Sequence, residues 1–576
     1  MGEGRHRGSP CTPEREGLGF SAPILIPPSS SYPPNCGWHP ASRFGIVMGE
    51  RNANAAKGQP MAWCEREYFL EGLDLQTAPD HWARLKPRHP AFIDAERRLT
   101  YADFAKLVSR CASGLRAAGL EQGDIVVVML PNWHEAPIVL FAAARVGATL
   151  VFCDDGDWRR AVPRPRAVER VDPAFVVLAR ADLADAARAH APRARIVTVR
   201  FDAPGCTTFA DLLAGGADTC EPAPVDVMED PFVIAFTSGS TGLAKGVVLS
   251  QESSLFSWRG YGRAMQCTSD DVFAVPIPLS HMFGVNMGIV LPVMFGATAV
   301  LVEKFAPHDL LRTIERERVS VIYGVPTVFG RLLLDLKRHP VDLSSVRTGL
   351  VGSATVAKEL VEDVWERLHC RVVVGYGSTE AVAVTCTTVE DDLAHTASTV
   401  GRPFPGVEVR LLGDDGVLRE RGEGELVVRS PCMMRRYWHD LARTAEAYVE
   451  GWLRTGDAAS LDDEGYARIL GRIDGMIIRG GFNVYAAELE HLYSAHPAVL
   501  EAAAFPLPHP ELGQQIVLAL TCKRGTVMDQ AAFRQWAEGR IAKFKLPDRV
   551  VFFHQLPQLP TGKIDIQALK QAVEHP

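Results

Sequence analysis

The twelve cysteines of this 576-residue chain include no Cys-x-x-Cys pair, and no histidine spacing would hold zinc. That scatter excludes a disulfide framework and predicts reduced, mostly buried thiols of a cytoplasmic protein. Dense Lys/Arg blocks are also missing, and the formal charge is only −8, so nucleic acid is not the expected partner. No segment reaches the roughly 18 uninterrupted apolar residues of a membrane helix. The nearest run, Met287 to Val302, is broken by Pro292 and Gly296, so no integral membrane contact is expected. Phe20 to Ile26 is too short and too closely bounded by proline for a signal peptide, so it is not expected to act as one. Internal repeats are absent.

What is present is a chain with 47% hydrophobic residues, long enough for two to four domains. Residues 1–60 hold nine Pro and nine Gly. They read as a disordered tail or a mis-assigned start, with Met48 and Met61 as alternative starts. From Thr100 the pattern turns helical: Thr100 with Asp103 forms a capping box, and Phe104, Leu107, Val108, Cys111 and Leu115 recur at helical spacing. Strand Ile125 to Leu130, helix Ala136 to Val146 and strand Thr149 to Phe152 follow. Further on come strands Val272 to Val275, Thr298 to Val302, Val319 to Tyr323, Arg347 to Val351 and Arg371 to Val374. Helices from Pro307, near Thr327 to Leu334 and at Val356 to Leu368 alternate with them. This rhythm predicts a large, multi-layer α/β domain. From Val400 short runs with turn signals predict a β-rich subdomain. From about Met476 helix Ala486 to His496, strands Val499 to Phe505 and Gln515 to Thr521, and helix Asp529 to Ile541 predict a small α+β unit. The expected division is 61–473 for the large domain and 474–576 for the small one.

Four stretches carry the chemistry. Thr237-Ser238-Gly239-Ser240-Thr241-Gly242-Leu243-Ala244-Lys245 combines glycines, hydroxyls and one lysine between apolar runs, a composition suited to gripping phosphates. It is not a Walker loop, because Lys245 precedes Gly246 and a β-branched run, so a loop joining two strands is expected. Gly375-Tyr376-Gly377-Ser378-Thr379-Glu380 directly follows a strand, where ligand loops gather in open α/β sheets. Gly451 to Asp457 ends in Thr455-Gly456-Asp457, and Arg472 follows in Gly471-Arg472-Ile473-Asp474-Gly475. A carboxylate and an arginine there suit ribose and phosphate. Pro560-Thr561-Gly562-Lys563 lies near the C-terminus. Taken singly, each reads equally as a turn, a solvated charge or half of a surface ion pair.

Their fixed order over some 330 residues resembles the adenylate-forming superfamily of acyl-CoA synthetases, aryl-CoA ligases, peptide-synthetase adenylation domains and firefly luciferase. The resemblance runs from about Thr100 to Leu569, with Pro278-Leu279-Ser280-His281 and Gly480-Gly481-Phe482-Asn483-Val484-Tyr485 as further matching motifs.

The resemblance implies ATP-dependent conversion of a carboxylic acid to an acyl-adenylate, with release of pyrophosphate, then transfer to a thiol, with coenzyme A the leading acceptor. It assigns Thr237, Ser238, Gly239, Ser240, Thr241, Gly242 and Lys245 to the β- and γ-phosphates, Thr379 to the α-phosphate and Glu380 to magnesium. Tyr376 would pack on adenine, with Gly352, Ser353 and Ala354 forming part of that pocket, Asp457 on the ribose and Arg472 on the sugar side. Lys563 would bridge α-phosphate and carboxylate. Asp474 matches a hinge about which the small domain swings, exchanging Lys563 for the thiol-transfer loop at Gly480 and Gly481. His281 would gate the acyl pocket or orient the carboxylate, with a hydrogen-bonded wall residue as the plain reading.

The sequence departs from the usual family pattern at Ala244, where proline is common, at Gln251, where histidine is common, and at Gly352-Ser353-Ala354-Thr355. It also lacks an Asn-Pro at Phe152-Cys153-Asp154-Asp155. The predicted acyl pocket, between His281, Tyr323 to Val328, Val351 and Ala381 to Val384, is largely apolar, and no Lys or Arg falls between Val372 and Val384. An aliphatic or aryl acid is therefore expected. Met282-Phe283-Gly284-Val285 lacks the aspartate that peptide-synthetase domains use for an amino group. Two alternatives stay open: an acyl-AMP ligase loading an acyl carrier protein's phosphopantetheine, and a luciferase-like oxygenase.

Overall fold

Thr100 opens the first long helix, Tyr101–Ala117, through the expected reciprocal cap. Its hydroxyl accepts from the Asp103 N–H at 3.2 Å, and the Asp103 carboxylate accepts from the Thr100 N–H at 3.3 Å. Two orphan donors of the first turn are thus satisfied, and Phe104, Val108, Cys111 and Leu115 face the core. The computed structural model describes residues 72–153, 170–237, 245–354, 356–473, 475–479, 482–523, 525, 529–558 and 564–574, all within one compact unit, Met61–Pro576. The predicted tail, residues 1–60, lies outside the described residues.

Two large sheets organise the chain up to the β-rich region. The first has eight strands in the order Arg436–Tyr437, Lys245–Ser250, Pro231–Thr237, Thr149–Phe152, Ile125–Met129, Phe175–Leu178, Arg195–Thr198 and Thr207–Thr208. Ile125–Met129 is buried throughout because both faces are covered: Val126 and Val128 join one apolar cluster, Ile125, Val127 and Met129 another. The second sheet has nine strands, and its parallel part runs Pro90–Ile93, Thr298–Leu301, Val272–Val275, Val321–Gly324, Thr348–Val351 and Arg371–Tyr376. Asn132, just past Ile125–Met129, donates to the carbonyls of Val275, Ile277 and Val302 at 3.0 to 3.1 Å, which ties the carboxyl edges of the two sheets together.

Beyond these lie a six-stranded antiparallel sheet, including Gly422–Arg429, Trp452–Leu461 and Ala467–Arg472, and a five-stranded C-terminal sheet built on Val499–His509 and Gly513–Cys522. The last carries its own apolar clusters, one on each face. The predicted elements are present with shifted ends; the expected helix Asp529 to Ile541, for example, runs only Gln530–Ala537.

Two helices escape a reading of periodicity. Gln251–Ala264 is rich in serine and glycine yet buries twelve of its residues. Its glycines are packing surfaces, since a Cβ on Gly262 would stand 2.3 Å from the Phe295 ring. The other is the apolar run near Met287. Met282–Val285, a π-helical segment Asn286–Val290 and Leu291–Phe295 form successive helical turns, capped by Gly296 at φ 68° before strand Thr298–Leu301. No described helix is long and apolar enough to cross a membrane. Six of the nine described cysteines are buried, and none of the nine is in a disulfide.

Candidate active site

The glycine-rich stretch does join two strands. Pro231–Thr237 and Lys245–Ser250 pair antiparallel with Thr237 opposite Lys245, so the two ends of the loop are set side by side. Ser238, Gly239, Ser240, Thr241 and Gly242 lie outside the described residues, as do Asp474, Gly480, Gly481 and Lys563. The remaining candidates fall into two linked groups.

In the first, the Lys245 ammonium lies 5.1 Å from the centroid of the Tyr437 ring, a cation–π contact. The Tyr437 hydroxyl donates to Glu380 Oε1 at 3.0 Å. Strand Arg436–Tyr437 pairs with Lys245–Ser250, placing Tyr437 opposite Val247, and the Met434 N–H donates to the Glu380 carbonyl at 2.7 Å. Tyr437 is therefore a bridge between Lys245, at the end of the glycine-rich loop, and the candidate metal carboxylate. Burial, and then the neighbouring Glu380 charge, raise its phenol well above the ordinary value, so it stays a hydrogen-bond donor. Sequence reading missed it; the only signal is the Arg435-Arg436-Tyr437-Trp438 run, which has no periodicity.

In the second group, Tyr376 ends strand Arg371–Tyr376 and donates to Asp457 Oδ2 at 2.5 Å. Burial first, and Asp457 second, push the Tyr376 phenol well above its usual range. Asp457 stands directly across the ladder from Arg472, whose guanidinium lies 3.3 Å from Asp457 Oδ1 and donates to the Thr455 carbonyl at 3.0 Å. Thr455-Gly456-Asp457 is fixed locally. Gly456 takes φ 70°, its N–H donates to Glu425 Oε1 at 3.1 Å, and the Asp457 N–H donates to the Thr455 hydroxyl at 3.1 Å. Buried Glu425 also holds Arg454 at 2.6 Å. Its part in shaping this turn was hidden inside what the sequence shows only as a strand.

The candidate adenine segments meet because Thr348–Val351 and Arg371–Tyr376 are adjacent parallel strands, and both loops leave at their carboxyl ends. Gly352 follows the first; a Cβ there would approach the Gly375 carbonyl to 2.9 Å. Ser353 takes φ 65°. Past Tyr376, the turn carrying Thr379 and Glu380 closes with the Val382 N–H donating to the Ser378 carbonyl at 2.8 Å, and it holds Val382 at φ 58°. A β-branched residue in left-handed backbone costs of order 1–3 kcal/mol, and here that strain sits beside the candidate reacting groups.

On the candidate acyl side, His281 is exposed and occupies the N-cap position of Met282–Val285 without a side-chain capping hydrogen bond. Phe283 meets Tyr323 edge-on at 5.3 Å, while Val328, Val351, Ala381, Ala383 and Val384 are buried. The Tyr323 hydroxyl and Asn286 Oδ1, from the π-helical segment, are buried without hydrogen-bond partners.

The AMP-binding enzyme family matches residues 79–438, and the AMP-binding enzyme C-terminal domain matches 488–563. An indoleacetate–CoA ligase of Aromatoleum aromaticum is 34% identical over 512 residues, covering 87% of this chain and 98% of its own. A long-chain-fatty-acid–CoA ligase of Mycobacterium tuberculosis, FadD13, is 32% identical over 487 residues, covering 84% and 95%. Among solved structures, ATP-bound MatB from Rhodopseudomonas palustris superposes with a TM-score of 0.77 at 26% identity, over 87% of this chain and 99% of that one.

Proposed function

This chain belongs to the AMP-binding enzyme family, and on that premise we propose that it is an AMP-forming acyl-CoA synthetase for an aliphatic or aryl carboxylic acid, with the residues above in the roles given below. It activates the acid with ATP as an acyl-adenylate, releases pyrophosphate and passes the acyl group to coenzyme A. The observation that carries the residue assignment is the pair of linked groups, Lys245–Tyr437–Glu380 and Tyr376–Asp457–Arg472. A lysine, two carboxylates and an arginine so linked, beside loops that leave the carboxyl ends of parallel strands, support these roles.

The reaction needs charge management more than covalent help from the protein. Residues 237–245 hold the leaving pyrophosphate, Thr379 contacts the α-phosphate, and Tyr376 presents its ring to adenine while its hydroxyl aims Asp457 at the ribose. Glu380 suits a magnesium ion. Among the described residues its carboxylate takes a hydrogen bond from Tyr437 and pairs with no lysine or arginine, which leaves its charge for a cation. One carboxylate plus substrate phosphates is a common magnesium set, and the ion supplies neutralisation of the triphosphate when bound. After adenylation the small C-terminal domain, hinged at Asp474, exchanges Lys563 for the Gly480-Gly481 loop and admits the thiol.

The relatives named for indoleacetate and for long-chain fatty acids bracket an aryl and an aliphatic tail, and the apolar walls near Tyr323 and Ala381 to Val384 support the same range. A pyrophosphate-release screen over aliphatic and aryl acids, with and without coenzyme A, tests the proposal. Release with one acid class and an acyl-CoA product is expected. No response to any acid would overturn the reading; acyl-AMP that passes only to a carrier protein would overturn the acceptor.

Replacing Tyr437 with phenylalanine keeps the ring under Lys245 and removes the hydroxyl on Glu380. A hydrogen bond to a charged group is worth about 1.5–3 kcal/mol, so the KM for MgATP should rise about 10-fold or more with the acid's KM little changed. Steady-state kinetics varying each substrate separately checks this.

A further inference from the structure

Among the described residues, two groups of histidine and carboxylate side chains could surround a cation, and neither belongs to the site above. The group Asp94, His134 and Glu135 is already filled. Arg200 donates to both Glu135 oxygens at 2.9 Å and to Asp94 at 2.8 Å, so a positive charge sits where an ion would. The second group is different in kind.

His308 lies in the first turn of helix Pro307–Glu317. Asp335 lies in the last turn of helix Pro326–Leu336, and His339 follows four residues later, its N–H bonded to the Asp335 carbonyl at 2.9 Å. The potential ligand atoms of all three lie within 4.8 Å of one another. The two imidazoles have centroids 4.6 Å apart at 64°, so they are not stacked face to face. His308 Nδ1 and Asp335 Oδ2 face each other at 3.5 Å, and both atoms are buried without a hydrogen-bond partner. Among the described residues no lysine or arginine pairs with the Asp335 carboxylate. Buried carboxylate and imidazole atoms normally find partners, and these two are placed to share one cation. A start and an end of two helices meet here, and their opposed dipoles offset, leaving the carboxylate to set the preference for positive charge.

We propose that His308, Asp335 and His339 form a binding site for a divalent d-block cation of the zinc type. Two imidazoles and one carboxylate are a donor set for zinc or its neighbours, whereas magnesium and calcium favour all-oxygen sites. Tetrahedral zinc with bonds of about 2.0–2.1 Å puts its ligand atoms about 3.3 Å apart. The His308–Asp335 separation already matches this, and exposed His339, beyond its helix end, closes the third side by side-chain rotation. The fourth position faces solvent and takes water. The ion clasps two helices whose connecting segment contains strand Val321–Gly324, and so braces the element that carries Tyr323. Sequence spacing conceals the site because its first ligand, His308, stands 27 positions before Asp335 and 31 before His339. The proposal departs from the sequence expectation that no histidine spacing would hold zinc, because these ligands converge from the ends of two helices and not from one local motif.

The test uses metal-stripped full-length protein and zinc alone, with cobalt(II) as the spectroscopic probe. Expected are one zinc retained per chain after gel filtration, visible cobalt bands of tetrahedral intensity, and a rise in melting temperature on adding zinc. The double variant His308→Ala/His339→Ala should bind at least about 100-fold more weakly and lose the cobalt bands. Asp335→Asn, nearly isosteric, should weaken binding in the same direction. Equal melting of variant and parent in EDTA establishes that the variants fold. Should they not, zinc protection of His308 and His339 from diethylpyrocarbonate in the unaltered protein decides the matter. Zinc uptake unchanged in the double variant, or no protection of these histidines, would overturn the proposal.

Discussion

Lys563→Ala is expected to lower pyrophosphate release from acid plus ATP by roughly 1000-fold while leaving conversion of supplied acyl-AMP and coenzyme A to acyl-CoA largely intact. The two half-reactions place different demands on charge. In the first, an anionic carboxylate must approach an anionic α-phosphate, and negative charge then grows on the phosphorus oxygens. A single ammonium between the two anions lowers their repulsion on approach and is worth more as charge develops. In the second, the thiol attacks a neutral acyl carbon and AMP departs, so that ammonium has little to add. Lys563 is the last of the ordered motifs, in Pro560-Thr561-Gly562-Lys563. Both half-reactions are measured on the same preparation, the first by pyrophosphate release and the second from synthetic acyl-AMP. Equal loss of the two would refute the division of labour and would move Lys563 to a structural role.

Glu380→Gln is the second large effect. The substitution keeps size and an acceptor oxygen for the Tyr437 hydroxyl, and the Met434 N–H still reaches the residue-380 carbonyl, so the local fold is retained. What disappears is one negative charge that no described lysine or arginine neutralises. The kcat/KM for ATP should fall by about 100- to 1000-fold, and excess magnesium should recover part of the loss. Titrating magnesium at fixed ATP, alongside a melting curve, separates this from a packing role. A variant that melts early but shows the parent's magnesium dependence would place Glu380 among the structural residues. Tyr437→Phe provides the comparison, since it perturbs the same carboxylate without removing its charge.

Much of the α/β rhythm was legible because buried parallel strands such as Ile125–Met129 are continuous apolar runs and capped helices such as Tyr101–Ala117 announce their start. Gln251–Ala264 was not legible. Its serines and glycines carry loop-like composition, and only the ring of Phe295, which demands Gly262, explains why a helix packs there. In the apolar stretch after Met287 the break at Gly296 and the strand beyond it were legible, whereas the helical turns before it were not, because helix, left-handed glycine cap and strand share one hydrophobic run.

The sequence by itself determined the chemistry on offer. Glycines, hydroxyls, Lys245, Glu380, Asp457, Arg472 and Lys563 stand in local motifs whose residue types and order carry the adenylating reading without coordinates. Only the tertiary structure decided which of these groups are aimed by others. Tyr437 reaches Glu380 because Arg436–Tyr437 adds an edge strand to Lys245–Ser250, and Tyr376 reaches Asp457 across 81 positions of sequence. Glu425 shapes the Thr-Gly-Asp turn from a neighbouring strand, and His308 meets Asp335 and His339 where two helix ends converge. The physical reason is the same in each case. A motif is set by backbone geometry over a few residues, whereas these contacts are set by sheet register and helix packing, which bring together residues that no local period relates.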